Sequence, residues 1–293
     1  MNYYNDIKTK LIENENHAKI KDYSKERYKL NTYYEIGKIL NEAGKHYGEG
    51  IIKEYSKKLT KELGKSYSET TLKYIRKFYI FAKSHSVSDQ LTYTHYKVLL
   101  SLKDAKEIEY YISLIIQYQL SVRDLQKRIK NKEYERLDET AKQKLIKKEQ
   151  PTIQELIKNP IILQSKKHTN QISEKDLQNI ILENIPAFLE ELGNNFSFIK
   201  NEYKIKIGNR YNYIDLLLYN IEFNCFVVIE LKVTELKKEH IGQIETYMNF
   251  IDKNLKKLTQ DKTIGIIICK KDNHFIMEYC SDPRILSREY ILK

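Results

Sequence analysis

Two short apolar runs in the C-terminal half of the chain give the clearest pattern of hydrophobic positions. They cover residues 213–219 and 225–233, are rich in Ile, Leu, Val and Phe, and flank the turn-like segment 220–224. Runs of this length and composition predict two β-strands joined as a hairpin. Because almost every position is apolar, both faces of the hairpin are expected to be covered by other elements.

The first 150 residues follow a helical pattern instead. One helix face is predicted from apolar residues at helical spacing, Ile52, Tyr55, Leu59 and Leu63. A second is predicted from Leu72, Ile75, Tyr79 and Ala82. Gly64 lies between them, and two helices joined by a short glycine-containing turn are a candidate helix-turn-helix.

The remaining patterns predict a mixed sheet with helices. The predicted elements are a helix over 174–192 that Pro186 kinks or divides, a strand over 196–207, the hairpin, a helix from about 237, and strands around 264–269 and 275–279. This order indicates an α/β or α+β fold. We therefore predict a helical domain over 1–150, a linker over 151–172 and a second domain over 173–293.

Three charged residues interrupt the two apolar runs and need an explanation. Asp215 lies in the first run, and Glu230 and Lys232 lie in the second. Because side chains alternate along a strand, Glu230 and Lys232 point the same way, and Asp215 can lie beside them. Two converging carboxylates suit Mg²⁺, and a neighbouring ammonium can orient an attacking water or stabilise negative charge. An exposed, salt-bridged strand face is the alternative.

The net positive charge of the chain is concentrated in its first half. Residues 1–150 carry 31 Lys and Arg against 21 Asp and Glu, whereas residues 151–293 carry 20 against 19. The predicted second helix of the pair would present a polar outer face, made of Thr70, Lys73, Tyr74, Arg76 and Lys77. Such groups can contact phosphates and base edges of DNA, although lysines on a solvated helix are also common.

Longer segments of the chain carry a resemblance to a known family. The spacing Asp215, Glu230, Lys232, followed by a helix with Gln243, resembles the PD-(D/E)xK nuclease superfamily. The segments FLEELG from Phe188 and TIGIIIC from Thr263 are similar to the YhcG-like bacterial family, and the N-terminal segments YYEIG and LSVRDL look like the helical domain of that family. The resemblance covers nearly the whole chain.

The resemblance implies a fold and a set of roles. It implies an all-α N-terminal domain, which the glycine-containing turn described above makes helix-turn-helix-like, followed by a restriction-endonuclease-like α/β domain with a mixed sheet. Asp215 and Glu230 would bind Mg²⁺ or Mn²⁺, and Lys232 and Gln243 would complete the catalytic group. A carboxylate of the first helix often joins the metal site in the superfamily; its candidates here are Glu174 and Glu183. Gln178 stands where members of the family tend to have Glu.

Composition argues against a disulfide-bonded, zinc-binding or membrane-spanning protein. The three cysteines, Cys225, Cys269 and Cys280, have no metal-ligand spacing and are predicted to be reduced. No apolar run approaches the length of a membrane span, so no membrane partner is expected. The N-terminus lacks the apolar region of a signal peptide, so a cytoplasmic location is predicted.

These observations predict a metal-dependent deoxyribonuclease with an N-terminal DNA-binding domain. By resemblance alone, it would process foreign DNA in bacterial defence. A DNA-binding or regulatory protein with a catalytically silent nuclease fold is one alternative, and an adaptor that binds RNA or protein is another. The sequence leaves open whether the protein forms a homodimer, and whether it cuts internally or from an end.

Overall fold

The protein divides into two compact units, residues 1–132 and 133–293, in a computed structural model. The structure describes residues 2–19, 25–48, 50–63, 67–85, 87–88, 90–147, 149–165, 172–193 and 195–293. Residues 1–132 carry 26 Lys and Arg against 16 Asp and Glu, and residues 133–293 carry 25 against 24. The excess of positive charge therefore belongs to the first unit.

The described part of the first unit is helical. Its helices are α1 (Tyr3–Lys19), α2 (Lys25–Tyr47), α3 (Gly50–Leu63), α4 (Glu69–Ser84), α5 (Tyr93–Leu99), α6 (Ala105–Tyr118) and α7 (Val122–Lys130). The helical character predicted for this region is confirmed. Gly64, in the turn of the predicted helix-turn-helix, lies outside the described residues, and the turn stays a prediction.

Helices α2 and α4 pack closely because Gly37 has no side chain. A Cβ atom at Gly37 would lie 2.6 Å from both the carbonyl oxygen of Ile75 and the Cβ of Tyr79. The buried face of α4 consists of Leu72, Ile75, Phe78 and Phe81. The predicted stripe is therefore correct at Leu72 and Ile75, whereas Phe78 and Phe81 are buried in place of Tyr79 and Ala82, which are half-buried.

The second unit combines helices with a six-stranded sheet. Its first part contains α8 (Glu133–Arg136), α9 (Glu139–Ile146), α10 (Ile153–Leu156), β1 (Ile161–Leu163), α11 (Glu174–Glu183) and α12 (Ile185–Leu192). Its second part contains β2 (Phe196–Ile207), β3 (Arg210–Asn220), β4 (Cys225–Glu235), α13 (Lys238–Asn254), β5 (Asp261–Lys271), α14 (His274–Glu278) and β6 (Ile285–Leu292).

The sheet is mixed, as predicted. Its strand order is β1-β6-β5-β4-β3-β2. Strands β2, β3 and β4 pair antiparallel, whereas β4, β5, β6 and β1 pair parallel. One buried cluster lies between the sheet and α10, α11 and α12, and a second lies between the sheet and α13. The hairpin is thus covered on both faces.

The predicted helix over residues 174–192 is two helices that meet at Asn184. The Asn184 side chain accepts a hydrogen bond from the backbone N–H of Ala187 at 3.3 Å, and Pro186 lies in the first turn of α12. Proline is accepted there because the first turn of a helix leaves its N–H groups unbonded. The division at Pro186 is confirmed.

The predicted strand over residues 275–279 is wrong, because this segment forms α14. The Asn273 side chain accepts a hydrogen bond from the backbone N–H of Ile276 at 3.4 Å and caps this helix. Strands β5 and β6 are parallel, and parallel neighbours need a crossover connection rather than a tight turn. The last strand, β6, follows at Ile285–Leu292.

The structure also differs from the predicted domain boundaries. Within the predicted linker 151–172, Ile153, Ile157, Ile161 and Leu163 are buried in the core of the second unit, and β1 pairs with β6. Residues 166–171 of that linker lie outside the described residues. The apolar side chains of residues 153–163 explain why this part packs onto the sheet. No described helix is long and apolar enough to cross a membrane.

Candidate active site

The end of the β3–β4 pairing brings two acidic side chains together. The last register pair of β3 with β4 is Leu216 with Ile229, so Asp215 and Glu230 are the next residues on each strand. The backbone N–H of Leu231 donates a hydrogen bond to Asp215 Oδ2 at 2.7 Å. This bond fixes the Asp215 carboxylate against β4, beside Glu230.

Glu230 receives two hydrogen bonds on a single carboxylate oxygen. Lys232 Nζ donates to Glu230 Oε1 at 2.9 Å, and Gln243 Nε2 on α13 donates to the same atom at 2.8 Å. Both Glu230 and Lys232 are buried. The structure thus brings together Asp215, Glu230, Lys232 and Gln243, the four residues that the sequence proposed as a catalytic group.

The ionisation of these groups is strongly perturbed. Burial raises the pKa of Glu230 to about 7, and the negative charge of Asp215 adds to that rise, while Lys232 opposes it. Burial also raises the pKa of Asp215, against the hydrogen bond from the Leu231 backbone. Burial alone would lower the pKa of Lys232, but the charge and hydrogen bond of Glu230, together with the charges of Glu174 and Asp215, outweigh burial and raise this pKa. Clustered, buried ionisable groups of this kind are typical of functional sites.

The second Glu230 oxygen shows that these residues fit a divalent cation. Glu230 Oε2 is buried and has no hydrogen-bond partner among the described residues. A cation at Asp215 and Glu230 would satisfy this oxygen and offset the repulsion between the two carboxylates. The described residues contain no group of three or more His, Cys, Asp or Glu side chains arranged for a metal. Two carboxylates are nevertheless a common protein contribution to a Mg²⁺ site.

The two helix carboxylates considered as further ligands are placed differently. Glu174, at the start of α11, lies with Oε2 at 3.5 Å from Lys232 Nζ and is half exposed. Glu183 is exposed at the other end of α11. Nine residues of helix separate them by about 13 Å, so Glu183 does not belong to this cluster and that assignment is corrected.

Two further side chains join the cluster that the sequence did not assign to it. Buried Gln178 donates from Nε2 to the backbone carbonyl of Asp215 at 3.1 Å. Tyr247 accepts a hydrogen bond from Gln243 Nε2 at 3.1 Å. Gln178 lies four residues after Glu174, and Tyr247 four after Gln243, so helical spacing was the available signal. A carboxylate at position 178 could not donate to Asp215 in this way when ionised.

The residues predicted to contact DNA lie on the outer face of α4, in the first unit. Thr70, Lys73 and Lys77 are exposed, and Tyr74 and Arg76 are half-buried. Lys73 Nζ pairs with Glu69 at 2.7 Å. The ammonium groups of Lys77 and Lys97 lie 5.6 and 5.5 Å from the centre of the Tyr74 ring. A basic, aromatic surface is therefore present on α4.

Comparison with known proteins identifies both halves of the chain. Residues 6–136 match the DUF1016 N-terminal domain, and residues 154–288 match the YhcG PDDEXK nuclease domain. The protein from Escherichia coli (strain K12) named "Putative nuclease YhcG" is 24% identical, with 81% of this chain and 76% of that protein covered.

Solved structures with similarity to this chain include a repair endonuclease from Pyrococcus abyssi, at 17% identity and a TM-score of 0.29, with 43% of this chain and 49% of that chain covered. A further solved structure is that of the EndoMS-dsDNA2 complex, which has 18% identity and a TM-score of 0.29. The match covers 44% of this chain and 48% of that chain. The chain thus spans about half the length of these structures. With the two domain matches covering residues 6–136 and 154–288, the chain belongs to the YhcG-like family, in which a DUF1016 N-terminal domain precedes a PDDEXK nuclease domain.

Proposed function

We propose that the protein is a metal-dependent nuclease that hydrolyses phosphodiester bonds in DNA, with Mg²⁺ or Mn²⁺ as its cofactor. The observation that supports this most directly is the buried contact of Glu230 with Lys232 and Gln243, next to Asp215, with one Glu230 oxygen left without a partner. The alternative of an exposed, salt-bridged strand face does not fit, because on such a face the carboxylates would be solvated and burial would not raise their pKa values.

Each side chain has a distinct proposed role. Asp215 and Glu230 would hold the cation, which would stabilise, as a Lewis acid, the negative charge that develops on the phosphoryl oxygens. Lys232 brings N–H donors and a positive charge to the same place, where they can orient the attacking water or stabilise the transition state. Gln243 holds the Glu230 carboxylate by its amide and leaves the other oxygen free.

The first unit is proposed to bind DNA through α4, as part of a helix-turn-helix formed by α3 and α4. The net charge of residues 1–132 supports contacts to phosphates. Lys77 of α4 and Lys97 of α5 add positive charge around the Tyr74 ring. Phosphate contacts of this kind position a protein on DNA without reading its sequence. DNA of many sequences is therefore the expected partner.

The proposed function is tested by cleavage assays with purified full-length protein. Linear, nicked, branched and single-stranded DNA are incubated with Mg²⁺, with Mn²⁺ or with EDTA. Cleavage is expected with either metal and not with EDTA. If none of these DNA substrates is cut with either metal, the proposal is refuted.

Variants test the residues. Asp215→Ala, Glu230→Ala and Lys232→Ala should each abolish cleavage while the fold, followed by circular dichroism, is kept. Gln243→Ala should slow cleavage about 10- to 100-fold in single-turnover assays, because Glu230 loses one of the two donors that orient its carboxylate. Glu183→Ala is the matched control, because Glu183 is exposed at the far end of α11, and it should cut like the wild type. Wild-type cleavage by the first three variants would show that the site is misassigned.

A further inference from the structure

Strands β2 and β3 continue as a two-stranded arm beyond the end of their contact with β4. The pairing of β3 with β4 ends at Leu216, whereas the pairing of β3 with β2 continues to Arg210, opposite Ile207. Residues 203–207 and 210–214 therefore form a ribbon in which β3 has a single neighbouring strand. Asp215 lies where this arm joins the rest of the sheet.

The two faces of the arm differ sharply. One face carries Ile205 and Ile214, which are buried in the cluster under α13. The opposite face carries two lysines and two tyrosines, which we call the lysine-tyrosine patch: Lys204, Lys206, Tyr211 and Tyr213. Lys204 pairs with Tyr213 across the ribbon, and Lys206 pairs with Tyr211. Residues paired in this way project from the same face.

The tyrosines of the patch are unusually accessible for side chains of their size. Tyr211 is 56% exposed and Tyr213 is 51% exposed. The Lys204 ammonium lies 3.9 Å from the centre of the Tyr211 ring, and that of Lys206 lies 5.9 Å from it. Neither lysine has an ion-pair partner among the residues that the structure describes. The patch therefore combines open aromatic rings with uncompensated positive charge.

Protection of a sheet edge does not account for this patch. Strand β2 is an edge strand, and exposed lysines on an edge discourage pairing with other chains. That role explains Lys204 and Lys206 but not the two exposed tyrosines on β3, because exposed aromatic surface favours association. The acidic residue two positions before Lys204, Glu202, is paired with Lys175 at 2.5 Å, which limits its repulsion of an anion.

We propose that the lysine-tyrosine patch binds unpaired nucleotides and leads a single strand to the carboxylates of the candidate active site. This inference rests on the proposed nuclease function and narrows its substrate to DNA with an unpaired segment beside the cleaved bond. Aromatic rings stack on bases of any sequence, and lysines contact the phosphates between them. Within a duplex the faces of the bases are already stacked on one another, so an internal base pair cannot use the rings.

The distances along β3 agree with this path. Tyr211 and Tyr213 are two residues apart, so their side chains are about 7 Å apart on one face and can each stack on one base. Tyr213 in turn precedes Asp215 by two residues, again about 7 Å along the strand. Helix α11 packs on the sheet face opposite α13, and its first turn contacts both the base of the arm, through Lys175 and Glu202, and the candidate site, where Glu174 Oε2 lies 3.5 Å from Lys232 Nζ. The path from the patch to the carboxylates therefore runs past the start of α11. A base that stacks on Tyr211 takes the place of the Lys204 ammonium, which then lies close to a phosphate of the same strand.

Binding measurements in EDTA test the patch separately from cleavage. Full-length protein is titrated into three fluorescein-labelled probes, followed by anisotropy. The probes are a 20-nucleotide oligothymidine, a strand of the same length with a central run of abasic sites, and a blunt duplex. The double variant Tyr211→Ala, Tyr213→Ala should bind oligothymidine about tenfold or more weakly, bind the duplex within about twofold of wild type, and lose the preference for the intact over the abasic strand.

Two further variants separate stacking from folding and charge. Tyr211→Phe, Tyr213→Phe keeps both rings and should bind oligothymidine like the wild type. Lys204→Gln, Lys206→Gln should reduce the slope of log affinity against log salt for that probe by about 1.4 units. Tyr279→Ala, at a tyrosine that is 83% exposed in the same unit, is the matched control and should have no effect.

The outcomes distinguish this inference from the proposed function. If the alanine double variant binds oligothymidine like the wild type, or loses duplex binding by the same factor, the patch does not bind unpaired bases. That result would stand even if the wild type cuts DNA with Mg²⁺. If the wild type cuts no DNA but the tyrosine variants lose single-strand binding, the nuclease proposal fails and the patch remains a single-strand site.

Discussion

Replacement of Glu230 by glutamine tests the electrostatic cost of the candidate site. The amide has nearly the shape of the carboxylate, and its oxygen can still accept hydrogen bonds from Lys232 and Gln243, which now lie 2.9 and 2.8 Å from Glu230 Oε1. The variant therefore removes the buried negative charge with little change in packing. We expect its stability relative to the wild type to depend on pH.

The magnitude follows from the pKa of Glu230, which burial and Asp215 raise from 4.5 to about 7. Between these values the folded protein keeps a proton that the unfolded chain has released, so the wild type loses stability as pH rises, and the full penalty is present above about pH 7. Glutamine never ionises. The free energy of unfolding of Glu230→Gln minus that of the wild type should therefore increase from pH 5 to pH 8, by about 2 to 3 kcal/mol.

Urea denaturation of both proteins in EDTA, followed by far-ultraviolet circular dichroism, measures this difference. Addition of Mg²⁺ at pH 8 should stabilise the wild type but not the variant, because binding to the folded state raises its stability. Glu278→Gln, at an exposed carboxylate, is the matched control for the exchange of a carboxyl for an amide. An equal stability difference at pH 5 and pH 8 would refute the reasoning about buried charge.

Three further predictions concern the rest of the chain. A triple alanine variant removes the basic side chains on the outer face of α4, Lys73, Arg76 and Lys77. It should weaken duplex binding and reduce its salt dependence by about one unit of slope for each phosphate that is no longer neutralised; unchanged binding at low and high salt would remove α4 from the interface. Gly37→Ala should lower the melting temperature, at a cost of about 1 to 3 kcal/mol, because its Cβ would clash with α4, whereas Gly50→Ala, with open space around it, should not. Arg136→Ala should cost about 3 to 5 kcal/mol in urea denaturation, because it leaves the buried Glu191 carboxylate, now 2.6 Å from Arg136 Nη1, without that partner. Lys58→Ala removes an exposed ion pair and should leave the urea midpoint nearly unchanged. Equal destabilisation by the two variants would contradict the argument from burial.

Local patterns determined most of the elements that build the candidate site. The apolar runs predicted β3 and β4 because strands covered on both faces need apolar residues at nearly every position. The same pattern made Asp215, Glu230 and Lys232 conspicuous, since charges in such runs are costly unless they are paired or functional. Pro186 likewise predicted the division between α11 and α12. Each of these features depends on neighbours within a few residues.

Contacts between distant segments decided the rest. Residues 275–279 are apolar enough for a strand, but the parallel pairing of β5 with β6 makes this segment part of a crossover. Residues 161–163 join the sheet through pairing with residues 290–292, which no local pattern reveals.

The same difference between local patterns and long-range packing applies to the residues of the candidate active site. The sequence could not choose between Glu174 and Glu183, because both lie on α11 and only its packing places Glu174 at 3.5 Å from Lys232. Helical spacing could place Gln178 on the same face as Glu174, but it could not show that Gln178 donates a hydrogen bond to the backbone of Asp215, 37 residues away. Alternation and helical spacing determine the face on which a side chain lies. The partner across that face is set by the packing of the whole unit.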